Sequence, residues 1–196
     1  FDAGALVETG FANGRGTVLV GGRYSYTATL LSLVASNLEL AYRDYQVRVS
    51  YDVTPRDRLS LFSFGSYDLL GEKKGDELMV LFGTEFYRLD LRHDHDTGKG
   101  SLRTAVTFGL DLTKNEFLAG EQRTLRTRSL GVRDELEHRF GDDVVVRAGA
   151  DLTLENFSIS RPKYVDPDDP ESRAFDQAFT SRNDLALGVR TDFVLD

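Results

Sequence analysis

The stretch YRLDLRHDHDTGKGSLRTAVTFGLDL, Tyr87 to Leu112, decides the fold. In its second arm Leu102, Thr104, Val106, Phe108, Leu110 and Leu112 share one face, while Arg103, Ala105, Thr107, Gly109 and Asp111 share the other. That is the two-residue period of a β-strand. In its first arm Tyr87, Leu89, Leu91 and His93 oppose Arg88, Asp90, Arg92 and Asp94, and the turn Asp96-Thr97-Gly98-Lys99-Gly100 closes the hairpin. One face is apolar and the other charged. Such a sheet needs an apolar contact on one side and water on the other, so the contact is either a protein core or a lipid bilayer.

The same alternation runs outward in both directions. Toward the start, Ala3, Ala5, Val7 and Phe11 form a first apolar row that ends at Asn13-Gly14-Arg15-Gly16, a strong hairpin signal because Asn and Gly tolerate positive φ. Val18, Val20, Gly22, Tyr24, Tyr26 and Ala28 follow, and then Tyr45, Val47, Val49 and Tyr51 opposite Asp44, Gln46, Arg48 and Ser50. The turn Thr54-Pro55-Arg56-Asp57 leads to a strand over Leu59 to Leu69 whose faces stay open, because Leu59 and Leu61 lie on one side and Phe62 and Phe64 on the other. Loops are predicted over Gly71 to Glu77 and Phe117 to Gln122. Beyond the central hairpin, Leu130, Val132, Leu136 and Phe140 oppose Arg133, Glu135, Glu137 and Arg139, with Asp134 breaking the apolar row. After Gly141-Asp142-Asp143, the row from Val144 through Val146, Ala148, Ala150 and Leu152 to Leu154 opposes Arg147, Asp151 and Glu155. A long Pro- and Asp-rich connection from Ser160 to Arg182 precedes the last strand, in which Leu185, Leu187, Val189, Phe193 and Leu195 oppose Arg190 and Asp192. The reading gives about nine strands and no helix.

Composition narrows the function classes. A formal net charge of -8 with interspersed basic residues is not the clustered Lys/Arg footprint of a nucleic-acid binder, so no nucleic-acid partner is expected. There is no cysteine, hence neither a disulfide framework nor a thiolate metal site. No run approaches the roughly 20 apolar residues of a membrane helix, and mean hydropathy is slightly negative. A transmembrane barrel has the same ordinary average, because lipid-facing and water-facing residues alternate.

Turn spacing separates the two readings of the apolar face. Tight turns centre near residues 14, 56, 98 and 141, with a longer connection between each successive pair. A membrane barrel sorts its connections this way, short on the periplasmic side and long outside, whereas a soluble sandwich has shorter strands and no such sorting. Tyr45, Tyr51, Tyr87, Phe140 and Phe193 fall toward row ends, as interfacial girdles do. The expected fold is therefore all-β, an antiparallel up-and-down transmembrane β-barrel, here an arc of about nine long strands from a larger barrel. A soluble sheet covered by a second layer is the alternative.

Three segments carry a family resemblance. Gly21-Gly22-Arg23-Tyr24-Ser25-Tyr26 is similar to the "(small)-x-R-x-S-Y" strand near the start of the barrel in TonB-dependent outer-membrane receptors. Asp44 to Tyr51 followed by Thr54 to Leu61 resembles their next hairpin, and Phe64-Gly65-Ser66-Tyr67-Asp68 a strand ending common among them. The resemblance covers residues 18 to 70. It implies a 22-stranded barrel with an N-terminal plug, located in the bacterial outer membrane and drawing on TonB to import siderophores, vitamins or glycans. It also implies lipid and lipopolysaccharide around the wall. The chain opens on Phe1 and reads as strand at once, so residues 1–196 are expected to be a partial barrel domain whose plug and remaining strands lie elsewhere. No plug or TonB box is identified within it. A passive porin or channel, and a surface adhesin or envelope-assembly barrel, are the alternative functions.

The charged rows predict which residues face the lumen: Arg48, Arg88, Asp90, Arg92, Arg103, Asp111, Arg133, Glu135, Arg147, Asp151, Arg190 and Asp192. Pairs such as Arg88 with Asp90, or Arg133 with Glu135, could line a solute path or contact a plug. In the long outer connection Tyr164, Asp166, Asp168, Asp169 and Arg173 are the candidates for capturing a ligand. No metal and no cofactor is expected. His93 and His95 share a face but belong to the apolar row beside a short turn, which suits a polar strand end at headgroup level, and the acidic run from Asp166 to Glu171 lacks EF-hand spacing. All three histidines, His93, His95 and His138, lie near short turns, so no hydrolytic site is expected at the outer rim and the chain is not read as an enzyme. Cysteines introduced at Val106 and Leu187 should resist aqueous thiol reagents in membranes while those at Thr107 and Gly188 react; equal labelling of the four would overturn the face assignment.

Overall fold

A computed structural model describes residues 2–27, 35, 37–75, 77–116, 122–141, 143–160, 170, 173–174, 177 and 179–195. Nine strands follow in chain order: β1 (Asp2–Phe11), β2 (Gly16–Ser25), β3 (Leu38–Asp52), β4 (Asp57–Lys74), β5 (Glu77–Asp96), β6 (Gly100–Glu116), β7 (Gln122–Phe140), β8 (Val144–Ser160) and β9 (Arg182–Leu195). Each pairs antiparallel with the next, giving one up-and-down sheet in the order β1 to β9. Among the described residues β1 and β9 have no further strand partner, so the sheet is an open arc.

Three of the four short turns use left-handed backbone, and in the turn at 54–57 the Thr54 hydroxyl accepts the Arg56 and Asp57 N–H groups instead. Ala12, Asn13 and Gly14 have φ of 53°, 57° and 85°, and Gly98 and Gly141 have 79° and 66°. The Asp96 carboxylate also accepts the Gly98 N–H at 2.7 Å.

Register aligns the rows read from sequence. Val7, Val20, Val47, Ser63, Leu89, Phe108, Leu130, Leu154 and Leu185 lie in one cross-strand row on the apolar face. The next row toward the short turns is Thr9, Val18, Val49, Leu61, Leu91, Val106, Val132, Leu152 and Leu187. The row through Tyr45, Tyr87, Arg128 and Asn156 lies farther from the short-turn end in each successive pair of strands. That progressive stagger is what tilted barrel strands require.

No second layer covers the apolar face among the described residues. Even in strands flanked on both sides, Leu91, Phe108, Leu136 and Leu154 keep 42–45% of their surface exposed. The buried apolar residues are only Ala105 and Val145, and no described side chain is fully buried. A sandwich would have interdigitated its inner faces into a core. Among the described residues no such core forms.

Two predictions at the long-connection end are corrected. Gly71 to Glu77 is not a loop. β4 continues to Lys74 and β5 begins at Glu77, with Leu78, Met79 and Val80 pairing back onto Lys73, Glu72 and Gly71 across a bulge that skips Leu81. Gly75, at φ 66°, supplies the turn, so the charged run that reads as a loop is a strand pair projecting past the apolar rows. The regular alternation of tight and long connections fails at this point for the same reason. The open faces of β4 also resolve: Leu59, Leu61, Ser63 and Gly65 join the apolar side, and Phe62 and Phe64 join the charged side opposite Asp90 and Arg88. Strand β2 ends at Ser25, short of the predicted Ala28, which lies outside the described residues. The predicted loop Phe117 to Gln122 also lies outside them, apart from Gln122, where β7 begins.

Aromatic rings mark both ends of the apolar rows. Near the short turns Phe11 stacks on Tyr51 at 6.0 Å, and His138 meets Phe140 edge-on at 4.5 Å. At the other end Tyr45 and Tyr87 flank Gly65, and the Tyr45 hydroxyl lies 3.2 Å from that of Ser63. A Cβ at Gly65 would sit 2.8 Å from both tyrosine rings and from the Phe86 carbonyl oxygen. Gly65→Val should lower the stability of the full-length protein in vesicles by about 1–3 kcal/mol, read as an earlier urea midpoint. An unchanged midpoint would mean the rings do not pack over the glycine.

Candidate functional site: the charged face

The charged face is a lattice of ion pairs, most of them cross-strand and ordered by register. Arg88 makes a forked contact with Asp111, at 2.8 and 2.9 Å, and donates from its other nitrogen to the carbonyls of Tyr87 and Leu110 at 3.0 and 3.3 Å. Asp90 accepts from Thr107 at 2.8 Å. Asp94 receives both Arg92 at 2.9 Å and Arg103 at 2.6 Å. Glu135 lies between Arg103, at 3.5 Å, and Arg190, with which it forms a close pair. Arg133 pairs closely with Asp151, and Arg147 reaches Glu137 at 2.8 Å. Asp192 stands opposite Arg147 in register.

These partners correct the within-strand pairs expected from sequence. Arg88 pairs with Asp111 rather than Asp90, and Arg133 with Asp151 rather than Glu135. Directly opposed Cβ atoms on neighbouring strands are about 5 Å apart, whereas same-face residues along one strand are about 6.5–7 Å apart. For Arg133 the directly opposed Asp151 is the nearer carboxylate, whereas Arg88, whose opposite residue is Gly109, reaches diagonally across that glycine to Asp111.

Glycines make room for the longest reaches. Gly149 stands in register between Glu135 and Arg190, and the arginine crosses over it to reach the glutamate two strands away. A Cβ at Gly149 would meet Arg190 Nε at 2.8 Å. Gly109, opposite both Arg88 and Ser129, does the same for Arg88: a Cβ there would lie 3.3 Å from its Nε and 2.2 Å from Ser129 Oγ. Sequence reasoning missed this role; an isolated glycine in a charged row opposite an arginine was the available signal.

An aromatic patch interrupts the charges. Phe62 and Phe64 stack at 5.1 Å, Phe64 meets Phe86 edge-on at 5.7 Å, and the guanidinium groups of Arg48 and Arg88 lie over Phe62 and Phe86 at 5.3 and 5.7 Å. Nearby, Arg23 is held by Asp44 at 2.7 Å and lies 4.9 Å over the Tyr42 ring, while the Tyr42 hydroxyl donates to Asp44 at 2.5 Å. Beside the patch, Arg88, Asp90, Thr107, Arg133 and Asp151 line a hollow of about 260 Å³.

The remaining candidates fall elsewhere. Tyr164, Asp166, Asp168 and Asp169 lie outside the described residues, and Arg173 is exposed. His93 and His95 both turn to Asp57, their ring nitrogens 3.1 and 2.7 Å from the same carboxylate oxygen, which the Thr54 hydroxyl flanks by donating to the other oxygen at 2.5 Å. This cluster lies on the apolar side at the short-turn end, away from the charged face.

A single layer of long up-and-down strands, apolar on one face and ion-paired on the other, is the wall of a receptor-type β-barrel, and the chain has that fold. It is similar to the crystal structure of the siderophore receptor PirA from Acinetobacter baumannii, with a TM-score of 0.69 over 100% of this chain at 10% identity. The chain spans 33% of that receptor's length. No protein-family model and no curated protein sequence matches the chain.

Coupling across Gly149 is testable. Arg190→Ala should cost up to about 1 kcal/mol in the native background, as exposed ion pairs do, and close to nothing once Gly149→Val has displaced the guanidinium. An equal cost in both backgrounds, measured by urea unfolding, would show that the glycine does not position the pair.

Proposed function

We propose that this chain forms part of the wall of a TonB-dependent receptor in the bacterial outer membrane, which imports a scarce ligand such as a siderophore, a vitamin or a glycan. The observation that carries the reading is an apolar face left uncovered across nine staggered strands, in a sheet with the fold of a siderophore receptor. Each large apolar side chain left in water forgoes about 1.5–3 kcal/mol, so a face of this extent calls for hydrocarbon. The apolar rows then meet lipid, the short turns face the periplasm, and the charged face looks into the bore.

The Phe62–Phe64–Phe86 patch favours a filled bore over an open one. An aqueous channel gives three neighbouring phenylalanines nothing to pack against, and a plug domain does. The charged lattice points the same way, since most of its arginines are paired with wall carboxylates, Arg48 lying over Phe62 instead, and are not arrayed to pull one sign of ion through. On this reading the wall contributes no catalysis, the connection from Ser160 to Arg182 helps capture the ligand outside, and TonB supplies the energy through parts of the protein beyond these residues.

Uptake separates this from the alternatives. Deleting the gene should abolish accumulation of at least one labelled ferric siderophore, cobalamin or oligosaccharide. The restored gene should rescue uptake only while the inner-membrane proton gradient is intact. Rescue that survives collapse of the gradient, with steady conductance in planar bilayers, would identify a passive channel. No uptake defect across the panel would point to an adhesin or assembly barrel.

A further inference from the structure

The charged face turns partly apolar at the end opposite the short turns. Past the row of Tyr45, Gly65 and Tyr87, the residues Tyr42, Asp68 and Thr84 stand opposite one another in register, and one step farther Leu40, Leu70 and Phe82 do the same. Both rows lie on the face of Phe64 and Arg88, and they line a hollow of about 320 Å³. Phe82 keeps 50% of its surface exposed there. Asp68 is the carboxylate lining this hollow. It makes no ion pair among the described residues, and its hydrogen-bond partner is the Ser66 hydroxyl on its own strand. Arg23, which attracts it from two strands away, is already held by Asp44 at 2.7 Å and Asp2 at 4.0 Å. Asp2, Asp44 and Asp68 thus stand against a single guanidinium.

We propose that this hollow is a subsite for an ammonium group on an apolar arm of the imported ligand, with Asp68 receiving the ammonium and Leu40, Leu70 and Phe82 packing against the hydrocarbon beside it. The assignment rests on the reading of the charged face as the bore of a transporter, and it narrows the class of ligand carried. A carboxylate set among apolar side chains has lost part of its hydration, and a cation brought to it restores what was lost. An ammonium has three donors to place, and the Thr84 hydroxyl opposite Asp68 offers a second acceptor. A ligand carboxylate or catecholate would meet three carboxylates and no unpaired guanidinium, so like charge excludes it. A bare metal ion would find too few oxygen donors over an apolar floor. The volume suits one arm of a ligand, since pockets that enclose a whole small molecule run from about 300 to 1,000 Å³. The hollow lies at the outer end of the wall, where a ligand enters from outside.

The test uses the full-length protein in zwitterionic nanodiscs and three probes of one shape, phenylpropylammonium, phenylpropanol and phenylpropanoate, with binding read by saturation-transfer NMR. The ammonium should bind on the order of ten-fold more tightly than the alcohol, and the carboxylate least. Asp68→Asn should bring the ammonium down to the level of the alcohol. Phe82→Ala should weaken ammonium and alcohol alike and keep their order. Asp192→Asn, which removes the same charge near the short-turn end, should change nothing. Equal binding of the three probes, a preference that survives Asp68→Asn, or affinities untouched by Phe82→Ala would overturn the proposal. So would no binding at all, the outcome if another part of the full-length protein fills the hollow. The probes report on the hollow alone, and the uptake assay reads transport whatever they show, so the two readings fail separately.

Discussion

A sheet one layer thick has no interior, so its cohesion comes from the backbone ladder between neighbouring strands. Every strand from β2 to β8 is bonded on both sides over most of its length, and few of the described side chains are buried. In hydrocarbon this is the condition for existing at all, because an unpaired N–H or C=O there costs several kcal/mol and only a continuous ladder removes that cost. The side chains are then free to answer to two solvents. Small outward residues such as Gly22, Ala148 and Ala150, which would leave holes in a protein core, are tolerable where lipid chains fill the space.

The ladder also organises the charged face. Because it fixes which residues oppose each other, it decides that Arg133 meets Asp151 and that Arg103 and Arg190 share Glu135. These pairs are part-exposed, and each is worth only about 0.2–1 kcal/mol. Their contribution is order rather than strength: long arginine side chains are held flat against the sheet. The glycines at 109 and 149 belong to the same arrangement, giving up strand propensity so that a guanidinium can lie flat across a neighbouring strand.

What could be read from the chain alone follows from the same physics. The hairpin from Tyr87 to Leu112 is legible because the two faces of β5 and β6 meet different environments, so every residue reports its side. β4 is less legible because Phe62 and Phe64 join the charged face, where an aromatic patch overrides the polar expectation for that row. The run Glu72-Lys73-Lys74-Gly75-Asp76-Glu77 reads as a loop because it is charged throughout. Past the apolar rows a strand pair has water on both faces and no longer alternates, although its backbone still pairs. Ion-pair partners were hidden for a further reason, since choosing Asp111 over Asp90 for Arg88 requires the register between strands, and single-strand periodicity carries none of it.

Arg126 and Arg128 show what the two-residue period does carry. On β7 alone it already puts them with Leu130 and Val132, on the face opposite Arg133 and Arg139. The pairing with Leu112 and Leu110 agrees and sets them above the apolar rows. A cation there is cheap only near the headgroups, where the cost falls to about 0–1 kcal/mol from about 2–4 at mid-bilayer. The apolar row therefore ends where the arginines begin, between Leu130 and Arg128 on this strand. The progressive stagger of the rows carries that boundary along the wall to Tyr45 and Tyr87, whose rings close over Gly65. Arginine pair and tyrosine pair are two local solutions to one requirement: an amphipathic edge at the depth where hydrocarbon gives way to headgroups.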